Sequence, residues 1–499
     1  MLNRRRRYMK LNQLLRGIRP AAIKGDRHLD IENIAYNSKQ LKDSGLFFAI
    51  VGSNHSGYDF IDEAIERGAV AVVAEEDFIT YKNVTRVIVE DIRKACALIA
   101  ANFYSHPSLR VEATGITGTN GKTTILYLIA AIMECSGRHC GMIGTINYRI
   151  GDRLIPAVNT TPSSISLQMF LREMERSGIA NCAIEVSSHA LDQSRVDAIE
   201  FKKAIFTNLT SEHLDYHKTM EEYFSAKRKL FTTLKEGAVA IINCDDTYGR
   251  LLIQEQKSRV LTYGINNKPD IRAFDIDISS KGSAFKVETP KEVLNIETGL
   301  IGLYNIYNIL AAIAFAYSAG LESYNIQEAI RGFKGAPGRL QRVGGDENEF
   351  SVFIDYAHTG DALLNVLSTL KNITAGDIIV VFGCGGDRDK KKRPEMAKVA
   401  AELADYVVIT SDNPRGEDPK KIIDDVLQGL PQEYKNYKVR ADRKDAIECA
   451  VNMAKRNDTI LIAGKGHEGY QVFKDTTILF DDKKVVEEIL EQNKIAERV

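Results

Sequence analysis

Apolar residues recur along the chain in two rhythms. Residues 111–117 read as a strand, and then the period changes. Ile125, Leu128, Ile129, Ile132 and Met133 fall at helical spacing, which predicts a helix over 122–135. Between the two lies a short glycine-bearing loop, Gly118 to Gly121. Further strands are expected at 182–186, 204–207 and 239–243, with helix-like stretches between them. That alternation is a nucleotide-binding α/β pattern.

Upstream, the apolar runs 46–51 and 69–74 flank a turn-rich stretch, Gly52 to Gly57, and 61–67 has helical character. A small α/β unit ending near His106-Pro107 is expected. Downstream of Lys334-Gly-Ala-Pro-Gly338, the runs 352–355, 378–382, 406–410 and 459–463 are apolar and β-rich. Strands of that kind belong in a parallel sheet covered on both faces. Each ends in polar or glycine-rich residues: Asp355 to His358, Gly383 to Arg388, Ser411 to Arg415, and Gly464 to Glu468. Open α/β sheets bind ligands at the carboxyl ends of their strands, so this part presents one binding edge.

A length of 499 residues allows about three domains at roughly 150 residues each. The pattern changes divide the chain at 1–109, 110–335 and 336–499, all of class α/β. The content is 44% hydrophobic and 27% charged, ordinary for a globular protein, and the net charge of -1 argues against bulk nucleic-acid binding. Seven dispersed cysteines without a CxxC pair read as reduced thiols, neither a disulfide frame nor a zinc site. No apolar run approaches the roughly 18 residues of a membrane span. Arg4 to Arg7 open the chain with no signal-length apolar segment behind them, so 1–8 is expected to be a disordered basic tail. A cytoplasmic protein without membrane or nucleic-acid partners is expected.

The residues Gly118-Thr-Asn-Gly-Lys-Thr-Thr124 join a strand to a helix. Backbone N–H groups of such a loop face phosphate oxygens, and the helix amino end adds positive potential. Lys122 then reaches the terminal phosphates and Thr123 offers its hydroxyl to Mg²⁺. Ile116 stands where the general phosphate-loop pattern has a glycine, so the loop is a compact variant. Glu185, ending an apolar strand, suits a metal ligand or a salt-bridged strand end. His213 suits a ligand or a packed imidazole, although imidazole is unusual for a hard cation. Lys227, in a basic amphipathic helix, reads on pattern alone as part of a solvated charge cluster. Asp412-Asn-Pro-Arg415 pairs a carboxylate for an ammonium with a guanidinium for a carboxylate, or caps the helix that follows.

Together these residues resemble the Mur ligases, over nearly the whole chain from about Leu11. Thr117 to Thr124, Glu185 to Leu191, Asp355 to Thr359 and Asp412 to Arg415 carry the resemblance. It implies an N-terminal UDP-binding domain, a central P-loop ATPase domain with a mostly parallel sheet, and a C-terminal Rossmann-like domain for the incoming amino acid. The implied reaction is ATP-dependent addition of meso-diaminopimelate to UDP-N-acetylmuramoyl-L-alanyl-D-glutamate, with Mg²⁺, by a monomer. By motif, Ser38, Ser53, Asn54 and His55 would contact the UDP part, and Asn159, Thr160, Thr161, Ser187, Gln193 and Arg195 the muramoyl dipeptide. Gly118 to Thr124, Asn305, Arg339 and Asp355 would hold ATP. Thr123, Glu185, His213 and a carbamylated Lys227 would arrange the metal, and His358 joins Lys122 in the catalytic set. Arg388, Asp412, Asn413, Pro414, Arg415, Gly464 and Glu468 would form the diamino-acid site. Asn37-Ser38-Lys39, Gly360 and Ser211-Glu212-His213 depart from the usual Asp-Ser-Arg, Pro and Arg-Asp-His. These departures admit a paralogue using L-lysine or another amino acid. The loop alone would also suit a non-catalytic ATP-binding regulatory protein.

Overall fold

The computed structural model describes residues 8–52, 55–80, 82–345 and 348–496. The expected basic tail, apart from Tyr8, lies outside them. The chain forms two compact units: Met1–Arg272 with Tyr307–Ile326, and Ala273–Ile306 with Gln327–Val499.

The first unit begins with a five-stranded sheet in the order Ala22–Lys24, Thr85–Ile88, Ala69–Ala74, Gly45–Phe48, Asn33–Ala35. All neighbours are parallel except Ala22–Lys24 against Thr85–Ile88. Strand period two sends Leu46 and Phe48 into one apolar cluster and Phe47 into another on the opposite face. Both faces are covered, which is why the sequence reads as an apolar run without alternation.

The same unit carries a larger sheet. Cys140–Ile143, Asn181–Glu185, Glu112–Thr117, Phe201–Phe206, Val239–Asn243 and Arg259–Gly264 stand side by side, all parallel. An antiparallel hairpin, Asn147–Ile150 and Arg153–Pro156, extends one edge. The helix Lys122–Cys135 follows the central strand Glu112–Thr117 and buries Ile125, Leu128, Ile129, Ile132 and Met133. The glycine loop is thereby set at the carboxyl end of the sheet.

The second unit is built on the order Gln341–Val343, Ser351–Asp355, Thr459–Ala463, Ile378–Phe382, Tyr406–Ile409, Tyr437–Val439. Only Gln341–Val343 is antiparallel. Val380 and Phe382 face one core, Ile379 and Val381 the other. The four motif-bearing loops leave this sheet at the carboxyl ends of its strands. The unit also holds a hairpin that the sequence reading did not single out, Gly282–Glu288 against Val293–Thr298.

All seven cysteines are unpaired, and among the described residues no helix is long and apolar enough to cross a membrane.

Candidate active site

Gly118 and Gly121 hold the phosphate loop in backbone conformations that favour glycine, with φ of 144° and 91°. A Cβ at Gly118 would collide with Thr207 Oγ1, and one at Gly121 with Asn308 Oδ1. Neighbouring strand-end residues fix the loop from outside. Thr119 N donates to Asn208 O at 2.8 Å, Asn120 N to Asn208 Oδ1 at 2.9 Å, and Thr207 Oγ1 to Asn120 O at 2.7 Å. Gly121 has no side chain with which to cap the helix Lys122–Cys135, and a helix amino end of this kind suits an anion. Lys122 Nζ folds back on the loop, donating to Gly118 O at 2.9 Å and Thr119 O at 2.6 Å.

Glu185 is fully buried beside that helix. Its carboxylate accepts from Thr123 Oγ1 at 3.0 Å, from Thr145 N at 2.9 Å and from Thr145 Oγ1 at 3.0 Å. The salt-bridged strand end is therefore not what these partners make, since all of them are uncharged. A buried carboxylate balanced by neutral donors suits a cation, and Thr123 beside it supplies a second oxygen.

Lys227 overturns the solvated-cluster reading of its helix. It is 1% exposed, while its neighbours Arg228 and Lys229 pair with Glu255 and Asp192. Lys227 Nζ donates to Gly118 O at 2.8 Å and lies 4.5 Å from the centre of the Tyr223 ring. Burial, and then the charge of Lys122, push its pKa well below the ordinary lysine value. A neutral amine is the form that takes up CO₂, so this lysine fits a carbamate. His213 sits in the left-handed region with φ 57°, packed edge-on to His189 at 5.0 Å. Burial keeps its imidazole below the usual pKa, hence in the neutral form a metal would need.

The residues expected to hold the UDP-linked substrate fall into two sets. Ser53 and Asn54 lie outside the described residues. Ser38 is buried and donates to Glu63 Oε2 at 2.8 Å, while His55 is exposed and packs on Phe60. The second set is one network. Arg195 Nη2 donates to Gln193 Oε1 at 2.7 Å and Nη1 to Thr161 O at 2.8 Å. Thr161 Oγ1 donates to Glu185 O at 2.7 Å, and Ser187 N donates back to it at 3.0 Å. Thr160 Oγ1 meets Thr145 Oγ1 at 3.2 Å, and Asn159 O accepts from Tyr148 OH at 2.6 Å. The residues expected to hold substrate and metal are thus braced by the same backbone.

In the second unit, Asn305 Nδ2 donates to Ile301 O at 2.9 Å, just ahead of the helix Leu303–Ser318. Asp355 is buried and accepts Leu340 N at 2.6 Å and Ala357 N at 2.7 Å. Burial raises its pKa, with Arg339 opposing. The Arg339 guanidinium lies 4.7 Å from the Tyr356 ring centre, and its buried Nε has no hydrogen-bond partner. An unsatisfied buried donor is poised for a ligand acceptor. His358 Nδ1 meets Tyr356 O at 2.8 Å; a carbonyl can only accept, so Nδ1 carries the proton.

Asp412, Asn413 and Pro414 are buried at the end of their strand, and Arg415 has φ 53°. Asn413 is committed to the framework: Oδ1 accepts Val472 N at 3.0 Å, and Nδ2 donates to Glu468 Oε2 at 2.8 Å. Asp412 and Arg415 place a carboxylate and a guanidinium on one turn, with Arg415 Nη1 donating to Gly386 O at 2.8 Å. Gly464, with φ 111°, leaves room for Asp412, whose Oδ2 would sit 2.7 Å from a Cβ there. Arg388 is exposed on the neighbouring loop.

Several neighbours of the candidate residues were not singled out from the sequence. Thr145 carries no motif. Tyr223 stands four residues before Lys227 on one helix, a spacing that puts both on one face and was a usable signal. Lys465, fully buried, donates to Asn413 Oδ1 and Glu468 Oε2, both at 3.3 Å.

Comparison with known proteins gives three family matches in sequence order. Residues 30–104 match the Mur ligase family catalytic domain, 116–316 the Mur ligase middle domain, and 338–466 the Mur ligase glutamate ligase domain. A UDP-N-acetylmuramoyl-L-alanyl-D-glutamate--2,6-diaminopimelate ligase of Caldanaerobacter subterraneus subsp. tengcongensis is 44% identical, over 97% of this chain and 100% of its own. The protein of the same name from Aquifex aeolicus is 45% identical over 92% of this chain and 94% of its own. A solved structure under that name is 31% identical, covers 98% of this chain and 100% of its own, and superposes with a TM-score of 0.71.

Proposed function

The chain belongs to the Mur ligase family of ATP-dependent peptide ligases, and on that basis we propose that it joins meso-diaminopimelate to UDP-N-acetylmuramoyl-L-alanyl-D-glutamate in the cytoplasm. The observation that carries the choice of amine is the turn Asp412 to Arg415, where a buried carboxylate and the guanidinium of a residue with left-handed backbone flank two framework residues. Near-full-length likeness to relatives named for this reaction supports it.

A carboxylate is a poor acylating agent, because oxide would have to leave. Phosphorylation changes the leaving group. The D-glutamate γ-carboxylate attacks the γ-phosphorus of ATP, the bond to ADP breaks, and an acyl phosphate forms. The diaminopimelate amine then attacks the carbonyl carbon. The tetrahedral intermediate loses a proton and expels phosphate, leaving the amide. No covalent enzyme intermediate is required.

The protein's part is positioning and charge compensation. Loop N–H groups and Lys122 receive the phosphates. Thr123, Glu185, His213 and carbamylated Lys227 would hold Mg²⁺, which when bound offsets charge on the triphosphate. Thr161, Ser187, Gln193 and Arg195 orient the muramoyl dipeptide, and Asp355 and Arg339 hold the nucleotide. Asp412 takes the ammonium of the amino acid and Arg415 its distal carboxylate. The protein works as a monomer in this scheme.

Phosphate release is the direct test. It should require both the UDP-dipeptide and the diamino acid. Release that ignores both acceptors, or that responds to another acid acceptor instead, would defeat the reading.

A further inference from the structure

A buried arginine outside the proposed reaction ties together the two loops that carry the diamino-acid residues. Arg393, in the first turn of the helix Lys392–Leu403, is fully buried. Its Nη2 donates to Glu417 Oε1 at 2.8 Å and to Gly385 O at 3.3 Å. Its Nη1 donates to Glu417 Oε2 at 3.1 Å and to Asp425 Oδ2 at 2.7 Å. Glu417 Oε1 also accepts Asp387 N at 2.7 Å, and Asp387 Oδ2 accepts Gly416 N at 3.0 Å. One guanidinium and one carboxylate therefore lock the loop 383–388 against the turn 412–417.

The two backbones touch at the locked point. Gly386 N donates to Asn413 O at 2.9 Å, and a Cβ on Gly386 would run into the Pro414 carbonyl oxygen. Arg415 uses that contact: its Nη1 donates to Gly386 O at 2.8 Å. The guanidinium of Arg415 is thus aimed by a loop whose own position depends on Glu417.

Stability alone is a poor reason for this arrangement. Desolvating an arginine and a carboxylate costs about as much as their attraction returns, and packed apolar side chains often do as well. Apolar packing cannot fix both distance and angle, whereas a bidentate pair does. The loop it fixes contains Gly383, Gly385 and Gly386, which would otherwise be free to move. The Arg393 guanidinium, and then the Asp387 N–H, hold the Glu417 carboxyl down at about 2, so it stays anionic at working pH.

We propose that Arg393 and Glu417 are positioning residues for amino-acid choice, presenting Arg415 pre-organised to the distal carboxylate of a diamino dicarboxylic acid. The identity of that acid rests on the reading under Proposed function. Neither residue touches substrate. A pre-organised donor spares ordering cost on binding, so loss of the clamp acts on capture of the amino acid more than on chemistry.

The test compares full-length wild type with Glu417→Gln and Arg393→Lys, using ATP, Mg²⁺, the UDP-dipeptide and either meso-diaminopimelate or L-lysine. For each variant, KM for meso-diaminopimelate should rise roughly tenfold, with kcat within about twofold. The kcat/KM preference over lysine should fall by a similar factor, while KM for ATP and for the UDP-dipeptide stays unchanged. Amide hydrogen exchange should quicken in 383–388 and 412–417 and nowhere else. Unchanged KM and lysine discrimination, or an even loss across every substrate, would overturn the clamp. If Arg393→Lys does not fold, Glu417→Gln decides the matter. If wild type ligates a different amino acid, the proposed substrate is wrong, and the clamp is judged by KM for that amino acid and by loop exchange.

Discussion

Lys122 and Lys227 donate to one acceptor: the Gly118 carbonyl oxygen receives Lys122 Nζ at 2.9 Å and Lys227 Nζ at 2.8 Å. Two ammonium groups at one carbonyl repel each other, and Lys227 is also shut off from water. Burial is the larger effect and the Lys122 charge adds to it, so Lys227 is the one driven toward the neutral amine. Lys227→Ala should lose nearly all amide formation, and high bicarbonate should not restore it. Lys227→Arg should fail equally, since a guanidinium does not take up CO₂. Wild-type-like turnover by Lys227→Ala would end the carbamate role.

Thr145 gives Glu185 two of its donors. Its hydroxyl orients the carboxylate, and its side chain is dispensable for the fold's apolar core. Thr145→Val should raise the Mg²⁺ concentration for half-maximal rate by about 10- to 100-fold, with little change in melting temperature. Glu185→Gln should cut kcat on the order of 100-fold. A Thr145→Val enzyme with an unaltered Mg²⁺ titration would contradict the assignment.

Arg415 should set the choice between diaminopimelate and lysine, which lacks the distal carboxylate. A charge-assisted hydrogen bond is worth roughly 1.5–3 kcal/mol, and lysine would leave the guanidinium unpaired. Discrimination of about tenfold to several hundredfold follows. Arg415→Ala should erase most of it by raising kcat/KM for lysine relative to diaminopimelate. Equal rates with both amines in wild type would refute the role.

His467 should make the protein acid-sensitive. Burial, then Arg339 and Lys465, push its pKa from 6.5 down to about 4. As pH falls, the unfolded chain takes up this proton before the folded one does. Its stabilising effect is therefore complete above pH 6.5 and declines as pH drops from 6.5 toward 4. Denaturation midpoints of wild type and His467→Gln should diverge across that window and run parallel above it. A difference independent of pH would contradict the shift.

Where both faces of an element are covered, its limits were legible in the sequence. The helix Lys122–Cys135 and the strands Val239–Asn243, Ile378–Phe382 and Thr459–Ala463 occupy the expected residues. The hairpin Gly282–Glu288 with Val293–Thr298 was not legible. Only one face of it is buried, and Lys286 and Glu288 alternate with Phe285 and Val287, so no apolar run marks it. Within the site, Lys122 announced itself through its glycine loop. Lys227 stood out only through the family resemblance, because tertiary packing alone separates it from the surface residues Arg228 and Lys229. Thr145 was invisible for a related reason. Pairing of Ile143 with Ile184 across parallel strands brings Thr145 beside Glu185, and no local pattern records that register.

The most direct measurement is the mass of the product. The enzyme is incubated with ATP, Mg²⁺, UDP-N-acetylmuramoyl-L-alanyl-D-glutamate, and meso-diaminopimelate and L-lysine in equal amounts. The expected product is the UDP-tripeptide carrying diaminopimelate, with one ADP and one phosphate released per amide bond. A lysine-bearing product, or ATP hydrolysis with no amide formed, would contradict it.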